Sequence, residues 1–323
     1  MTRRARMARW VPWARGAIAA TAMLALTACV GAPTSAPSHS SSAVPPATAS
    51  SGTPSPAPTG ELQHIVVIVD ENKPAQSILG NPQAPYLNAL AASGAVATDY
   101  SAVTHPSLPN YLALTSGTTG GITSDCNPPG GSCLITGPNL AERLDAAGLS
   151  WRMYAEGMPQ PCTAANAGRY AVKHNPFLHY PSVTSDPAYC AAHDVPYGML
   201  AADLSSAASL PAFSFISPDL CDDMHDCSIA TGDAWLATAV PAIVSSPAFR
   251  SGRSLLIVTF DEGDAGDNRV ACVFAGPAAR AHTTSATPYG HYALLRTIED
   301  AWGLEPLGAD AQAAPMDQLL SSR

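Results

Sequence analysis

Three observations predict an α/β sandwich with a mostly parallel central sheet. First, residues 63–69 (Gln-His-Ile-Val-Val-Ile-Val) and 255–260 are continuous apolar runs, with 270–275 alike and 211–216 a weaker case. Strands buried on both faces have this pattern. Second, segments with helical spacing lie between them, at 85–93, 107–115, 139–147, 231–243 and 291–302, several ended by glycine. Third, polar clusters follow the strand runs. These are Asp70-Glu71-Asn72, then His105 and Ser107 after the β-prone run 95–103, Asp219 to Asp226, and Asp261-Glu262. In a parallel sheet all four fall at the carboxyl edge, where active sites lie.

The alternation starts only after residue 60. Residues 1–28 carry five arginines and no acid, then a short apolar run, then Leu26-Thr-Ala before Cys29. This is the form of a lipoprotein signal peptide, by Sec or twin-arginine export, with Cys29 the lipidated first residue of the mature chain. The apolar run is too short to span a membrane. Residues 29–60 are almost entirely Pro, Ser, Thr, Ala and Gly, a composition that cannot bury a core and forms a disordered tether. At about 3.1 Å per residue it reaches up to roughly 90 Å. Residues 61–323 then suffice for one catalytic domain. The expected location is the outer face of the cell membrane, held there by the lipid anchor alone, or the medium after release, as a monomer.

The formal net charge is −9, and loss of the five leader arginines takes it to −14. Nucleic acid is a poor partner for such a chain. An anionic substrate would need local positive charge: a metal, a helix N-terminus, or a few His and Lys. Seven cysteines follow Cys29, which suits an oxidising compartment. Proximity pairs Cys126 with Cys133, Cys162 with Cys190, and Cys221 with Cys227, leaving Cys272 as a buried strand thiol. No pair has zinc spacing.

Ser107 reads as a helix N-cap, with Pro109 in the first turn and Gly117 closing the element. A serine oxygen there faces unpaired N–H groups, which favours an alkoxide nucleophile and a bound phosphate. Glu71, Asn72, Asp261 and Glu262 supply hard oxygen donors at two strand ends, and Ser107 can add another. Ca, Mg and Mn suit such donors, and Zn accepts carboxylates too. A cation there would draw off the serine proton and neutralise a phosphoryl oxygen.

His225 sits in the loop that Cys221–Cys227 would clamp, beside Asp222, Asp223 and Asp226, a held geometry for acid–base work or phosphate contact. Lys173-His174 and the helix-opening His291 are further candidates. Each also has a plain structural reading as stapled loop, cap or packing residue. His105 stays ambiguous, and His64, His179, His193 and His282 read as structural. There is no Gly-x-Ser-x-Gly elbow, Walker loop or dinucleotide fingerprint. Ser107-Leu-Pro109 opens like a sulfatase motif, but Tyr111 stands where that motif requires arginine.

Taken in order, these segments resemble the phosphoesterase branch of the alkaline-phosphatase superfamily, the bacterial acid phosphatases and phospholipases C. The resemblance runs from Gln63 to Leu304. It rests on Val66-Val-Ile-Val-Asp-Glu-Asn72, Thr104-His-Pro-Ser-Leu-Pro-Asn-Tyr111, Lys173-His-Asn-Pro-Phe177, Asp222-Asp-Met-His-Asp226 with Gly232-Asp-Ala-Trp-Leu236, Thr259-Phe-Asp-Glu262 and His291-Tyr-Ala-Leu-Leu295. The chain is most similar to the small secreted acid phosphatases of mycobacteria.

The resemblance implies an alkaline-phosphatase-like three-layer sandwich and a phosphoseryl intermediate on Ser107. It implies His225 and His174 as catalytic residues, and Asn110, His291, Lys173 and Asp223 as substrate-binding residues. Glu71, Asn72, Ser107, Asp261 and Glu262 would hold a divalent metal. The substrates implied are phosphate monoesters on small molecules or phospholipid headgroups, phosphoinositides among them. A phospholipase C-type phosphodiesterase is the alternative, and a non-catalytic lipoprotein binding a phosphorylated ligand a more distant one. Glu71-Asn72 and Asp261-Glu262 depart from the Asp and Asp-His ligands of two-zinc phosphatases. Asp222 stands where close relatives often carry Asn.

Overall fold

β1 (His64–Asp70) runs at the centre of an eight-stranded sheet, in register and parallel with β6 (Phe213–Ser217) on one side and β7 (Ser254–Phe260) on the other. The computed structural model describes residues 62–322 except 265 and 267, so the expectations for the leader, Cys29 and the tether lie outside the described residues. The other strands are β2 (Ala95–Ala97), β3 (Tyr100–Ser101), β4 (Trp151–Ala155), β5 (Asp194–Pro196), β8 (Cys272–Ala275), β9 (Thr283–Ser285) and β10 (Tyr289–Gly290). The main sheet has the order β5-β4-β6-β1-β7-β8-β2-β9, and β3 pairs with β10 in a separate ribbon. Only β8 runs antiparallel to its neighbours, so the sheet is mostly parallel, as predicted.

Register decides what meets at the carboxyl edge. Asp70 pairs with Phe260, so the next residues, Glu71 and Asp261, emerge side by side. Successive residues on a strand face opposite sides, and helices cover both. Tyr111 of the helix Ser107–Ser116 packs on Phe215, the register partner of Val67. On the other face the helix Ile229–Val244 lies against the helix Pro85–Ser93. Asp233 joins those two helices, accepting the N–H groups of Tyr86 and Leu87 at 2.9 and 2.8 Å and capping the second helix from outside it. The arrangement is a three-layer α/β sandwich.

All five predicted helices are present within two residues of their expected ends. The expected N-cap is not where the serine stands. The helix begins with Ser107 itself, Pro106 is the flanking residue, and no side chain of the adjoining chain caps it. Ser107 is free to turn inward because Asp125, from a distant loop, takes the Leu108 N–H at 3.0 Å. Gly117 closes the helix at φ 66°, as a left-handed C-terminal glycine does.

The three disulfides are those that proximity suggested, and Cys272 is free and buried in β8. Gly232 allows the Cys221–Cys227 loop to sit close. A Cβ there would come within 2.4 Å of the Met224 side chain and 2.7 Å of the Asp222 carbonyl. None of the helices among the described residues is long and apolar enough to cross a membrane.

Candidate active site

Glu71 is the hub of the carboxyl edge. It is fully buried, and three side chains converge on its two oxygens. Ser107 donates its hydroxyl to Oε2 at 3.1 Å, Tyr111 donates to Oε1 at 2.7 Å, and Nε2 of His174 lies 3.1 Å from Oε1. Ser107 and Tyr111 are one helical turn apart, so the same face of one helix addresses both oxygens. The next residue, Asn72, takes a left-handed backbone at φ 53°, which Asn tolerates better than most residues. Its N–H donates to Oδ1 of Asp261 at 3.1 Å, tying the ends of β1 and β7 together.

The second wall comes from the loop after β6. His174 lies between two carboxylates, with Nδ1 3.2 Å from Asp223 Oδ2, and stacks on Tyr111 at a ring separation of 5.3 Å. Burial, with Lys173 and His225 beside it, pushes its pKa well down, so it stands neutral. Asp223 fixes the loop by accepting the His225 N–H at 2.7 Å. His225 places Nδ1 2.7 Å from Asp226 and Nε2 3.3 Å from the Lys173 ammonium. Glu71, His174 and His225 bring ligand atoms within 4.8 Å of one another.

The electrostatics call for a cation. Burial, then neighbouring acids, raises the Glu71 carboxyl well above its ordinary value. Asp223 is pushed up to about 8, with burial the largest cause. Asp261 and Glu262 are each pushed up to about 7, burial again first, while the Ser107 hydroxyl pulls both back down. Oδ2 of Asp261 is buried without a hydrogen-bond partner, a costly arrangement unless something positive faces it. Carboxylates, an amide and a serine oxygen form a hard donor set, so the residues present fit a divalent ion.

Other sequence candidates take different positions. Asn110 spends most of its side chain on the chain before Ser107, with Nδ2 also 3.5 Å from Glu262 Oε2. Its Oδ1 accepts from Val103 and Thr104 at 2.9 and 3.0 Å, and its Nδ2 donates to the Thr104 carbonyl at 2.8 Å. His291 is buried with both nitrogens engaged, Nδ1 2.9 Å from the Tyr100 hydroxyl and Nε2 2.6 Å from the Asp261 carbonyl. Burial lowers its pKa to about 4. Both residues therefore brace the site's backbone in this structure. Lys173 reaches the rim, donating to Asp125 at 3.0 Å. Burial pulls its pKa down, but Glu71, Asp125 and Asp261 outweigh that and leave it raised.

Two site residues escaped the sequence reading, and a third was left open. Tyr111 entered only as the residue that stands where a sulfatase motif requires arginine. Asp125 had one weak signal, its position next to Cys126. His105, left ambiguous, lies with Nδ1 2.7 Å from Glu262 Oε2 and its side chain about half exposed.

An α/β sandwich that gathers buried carboxylates and a serine at the carboxyl edge of its sheet fits an ester hydrolase. The chain belongs to the Phosphoesterase family, whose model matches residues 79–305. A phosphatidylinositol-3-phosphatase of Mycobacterium tuberculosis is 38% identical over 258 residues, 79% of this chain and 82% of the relative. A phosphate-repressible acid phosphatase of Penicillium chrysogenum is 34% identical over 235 residues, 69% of this chain. The chain spans only 55% of that fungal protein's length. Solved structures agree in fold. An alkaline-phosphatase-superfamily protein of Vibrio parahaemolyticus aligns with TM-score 0.57 at 14% identity, covering 79% of this chain and 70% of its own. Murine ectonucleotide pyrophosphatase/phosphodiesterase 5 aligns with TM-score 0.54 at 12% identity, covering 81% of this chain and 100% of its own.

Proposed function

We propose that this chain is an exported acid phosphatase that hydrolyses phosphate monoesters, phosphoinositides among them, by double displacement on Ser107. The observation that carries the reading is the Ser107 hydroxyl. It stands at the start of a buried helix and donates to Glu71 among three further acids that need a cation. The relatives' names supply the substrate class.

Glu71, Asn72, Asp261 and Glu262, with the Ser107 oxygen, are the residues that would hold the metal. When bound, a divalent ion supplies charge that favours the ionised serine and offsets the phosphoryl oxygens. Ser107 Oγ attacks phosphorus in line with the leaving oxygen, and its proton departs toward Glu71 Oε2. His225, at the rim beside Lys173, protonates the leaving oxygen through Nε2 once that nitrogen has left the Lys173 ammonium and taken a proton from solvent. His174 lies between Glu71 and Asp223 and keeps the two carboxyls apart. The helix N-terminus and Lys173 stabilise charge on the phosphoryl oxygens. Water then cleaves the phosphoserine, releasing inorganic phosphate.

Ser107→Ala tests this directly. Turnover of p-nitrophenyl phosphate should vanish while the melting temperature and circular dichroism stay those of the wild type. Retained turnover would remove Ser107 from the chemistry. A wild type that binds phosphate esters without turning them over would identify a binding lipoprotein instead.

A further inference from the structure

Ser107 is only 1% exposed. A nucleophile has to touch the phosphorus of an incoming ester, so whatever lies over it must give way. Over the first turn of its helix runs a chain of charged side chains that do reach solvent. Asp125 accepts the Leu108 N–H on Oδ1 at 3.0 Å and the Lys173 ammonium on Oδ2 at 3.0 Å. Lys173 in turn lies 3.3 Å from His225 Nε2.

The two donors that Asp125 occupies are the ones an incoming phosphoryl group needs. Leu108 N–H is the amide next to the nucleophile at the positive end of a ten-residue helix, and Lys173 is the permanent cation described above at this rim. Its carboxylate bridges them with one oxygen on each, much as two oxygens of a phosphoryl group would. The two anions cannot share those donors. Glu71, Asp223, Asp261 and Glu262 already crowd the floor beneath, and a further carboxylate against a phosphate dianion would add to the repulsion.

Asp125 is also the partner better able to leave. Its side chain is 29% exposed. It belongs to the long connection between the helices Ser107–Ser116 and Leu140–Ala146, whose regular structure is a single turn, Gly131–Cys133. The Cys126–Cys133 disulfide closes that connection on itself, so its tip keeps its own shape when it moves.

We propose that Asp125 acts as an internal competitor for the phosphoryl subsite: substrate displaces its carboxylate from Leu108 N–H and Lys173, and its return expels inorganic phosphate. The inference rests on the phosphatase reading of Ser107. A plain structural role, capping the helix and orienting Lys173, predicts the opposite sign for its removal.

The experiment measures inhibition of p-nitrophenyl phosphate turnover by inorganic phosphate, in the metal-replete wild type and in Asp125→Asn. Competition predicts that the phosphate Ki falls about tenfold in the variant, the size expected when one charged competitor for two charge-assisted bonds is removed. An unchanged or higher Ki overturns the proposal. In the wild type alone, saturating phosphate should speed amide hydrogen exchange of the segment 118–134. Unchanged or slowed exchange overturns it equally, even if the variant fails to fold. A wild type showing no turnover would sink the phosphatase reading and this proposal with it. Normal wild-type turnover with an unchanged or higher phosphate Ki in the variant would sink the proposal alone.

Discussion

Tyr111 donates its phenolic hydrogen to Glu71 Oε1 at 2.7 Å, while Ser107, one helical turn earlier, donates to the other oxygen at 3.1 Å. A single helix face thus orients the carboxylate that its own serine uses. Removing the phenolic hydroxyl in Tyr111→Phe keeps the packing on Phe215 and His174 but leaves Oε1 with His174 as its one remaining side-chain neighbour among those described. Losing such an outer partner typically costs a metal site 10- to 100-fold, roughly, in affinity. We expect at least about a tenfold loss of divalent-cation affinity by calorimetric titration, with stability lowered by about 1 to 3 kcal/mol. Unaltered affinity would show that Tyr111 only packs.

Cation binding should stabilise the fold measurably. A ligand at a hundred times its Kd adds about 2.7 kcal/mol, so the chelated protein should melt lower and recover with the right ion among Ca, Mg, Mn and Zn. Asp261→Asn, which removes charge beside the unpartnered Oδ2, should abolish most of that recovery. Equal melting curves with and without each ion would refute the site.

Glu299 offers a pH test remote from the chemistry. It lies buried in the helix His291–Trp302, beside Asp310. Burial, followed by the neighbouring Asp310, pushes its pKa up to about 9 from 4.5. The folded state then holds a proton that the unfolded chain releases, so stability falls as pH climbs from about 4.5 toward 9. Glu299→Gln should flatten urea-unfolding stability across pH 5 to 9, by at most about 1.4 kcal/mol per pH unit. Parallel pH profiles for the two proteins would count against it.

The Cys221–Cys227 bridge clamps the loop that carries Asp223 and His225. Replacing both cysteines with serine should cost about 2 kcal/mol, as expected for so short a loop. Turnover should fall by more than the unfolded fraction explains, because His225 loses its fixed angle. Steady-state kinetics beside denaturant melts check this, and an intact kcat would make the bridge purely structural.

Much of the scaffold was legible because its signals are local. Continuous apolar runs marked β1, β6, β7 and β8, and Pro85, Gly94, Gly117 and Gly303 punctuated the helices. β4 escaped because Arg152 interrupts it; that charge is tolerated through its ion pair with Asp203, a residue outside the sheet. β5 and β9, three residues each, are too short to display a period.

At the site, the chain's own order placed oxygen donors after each strand, a serine at a helix start and a histidine between two close cysteines. Strand and helix periodicities act over a few residues, so sequence alone can resolve them. Which polar group meets which was left to the tertiary structure. Ser107 turned from a cap into a donor to Glu71, His291 turned toward the Asp261 carbonyl, and Asp125 arrived from 17 residues away to take the Leu108 amide. Buried polar groups must find partners wherever the fold supplies them, and that pairing exists only once distant segments have packed together.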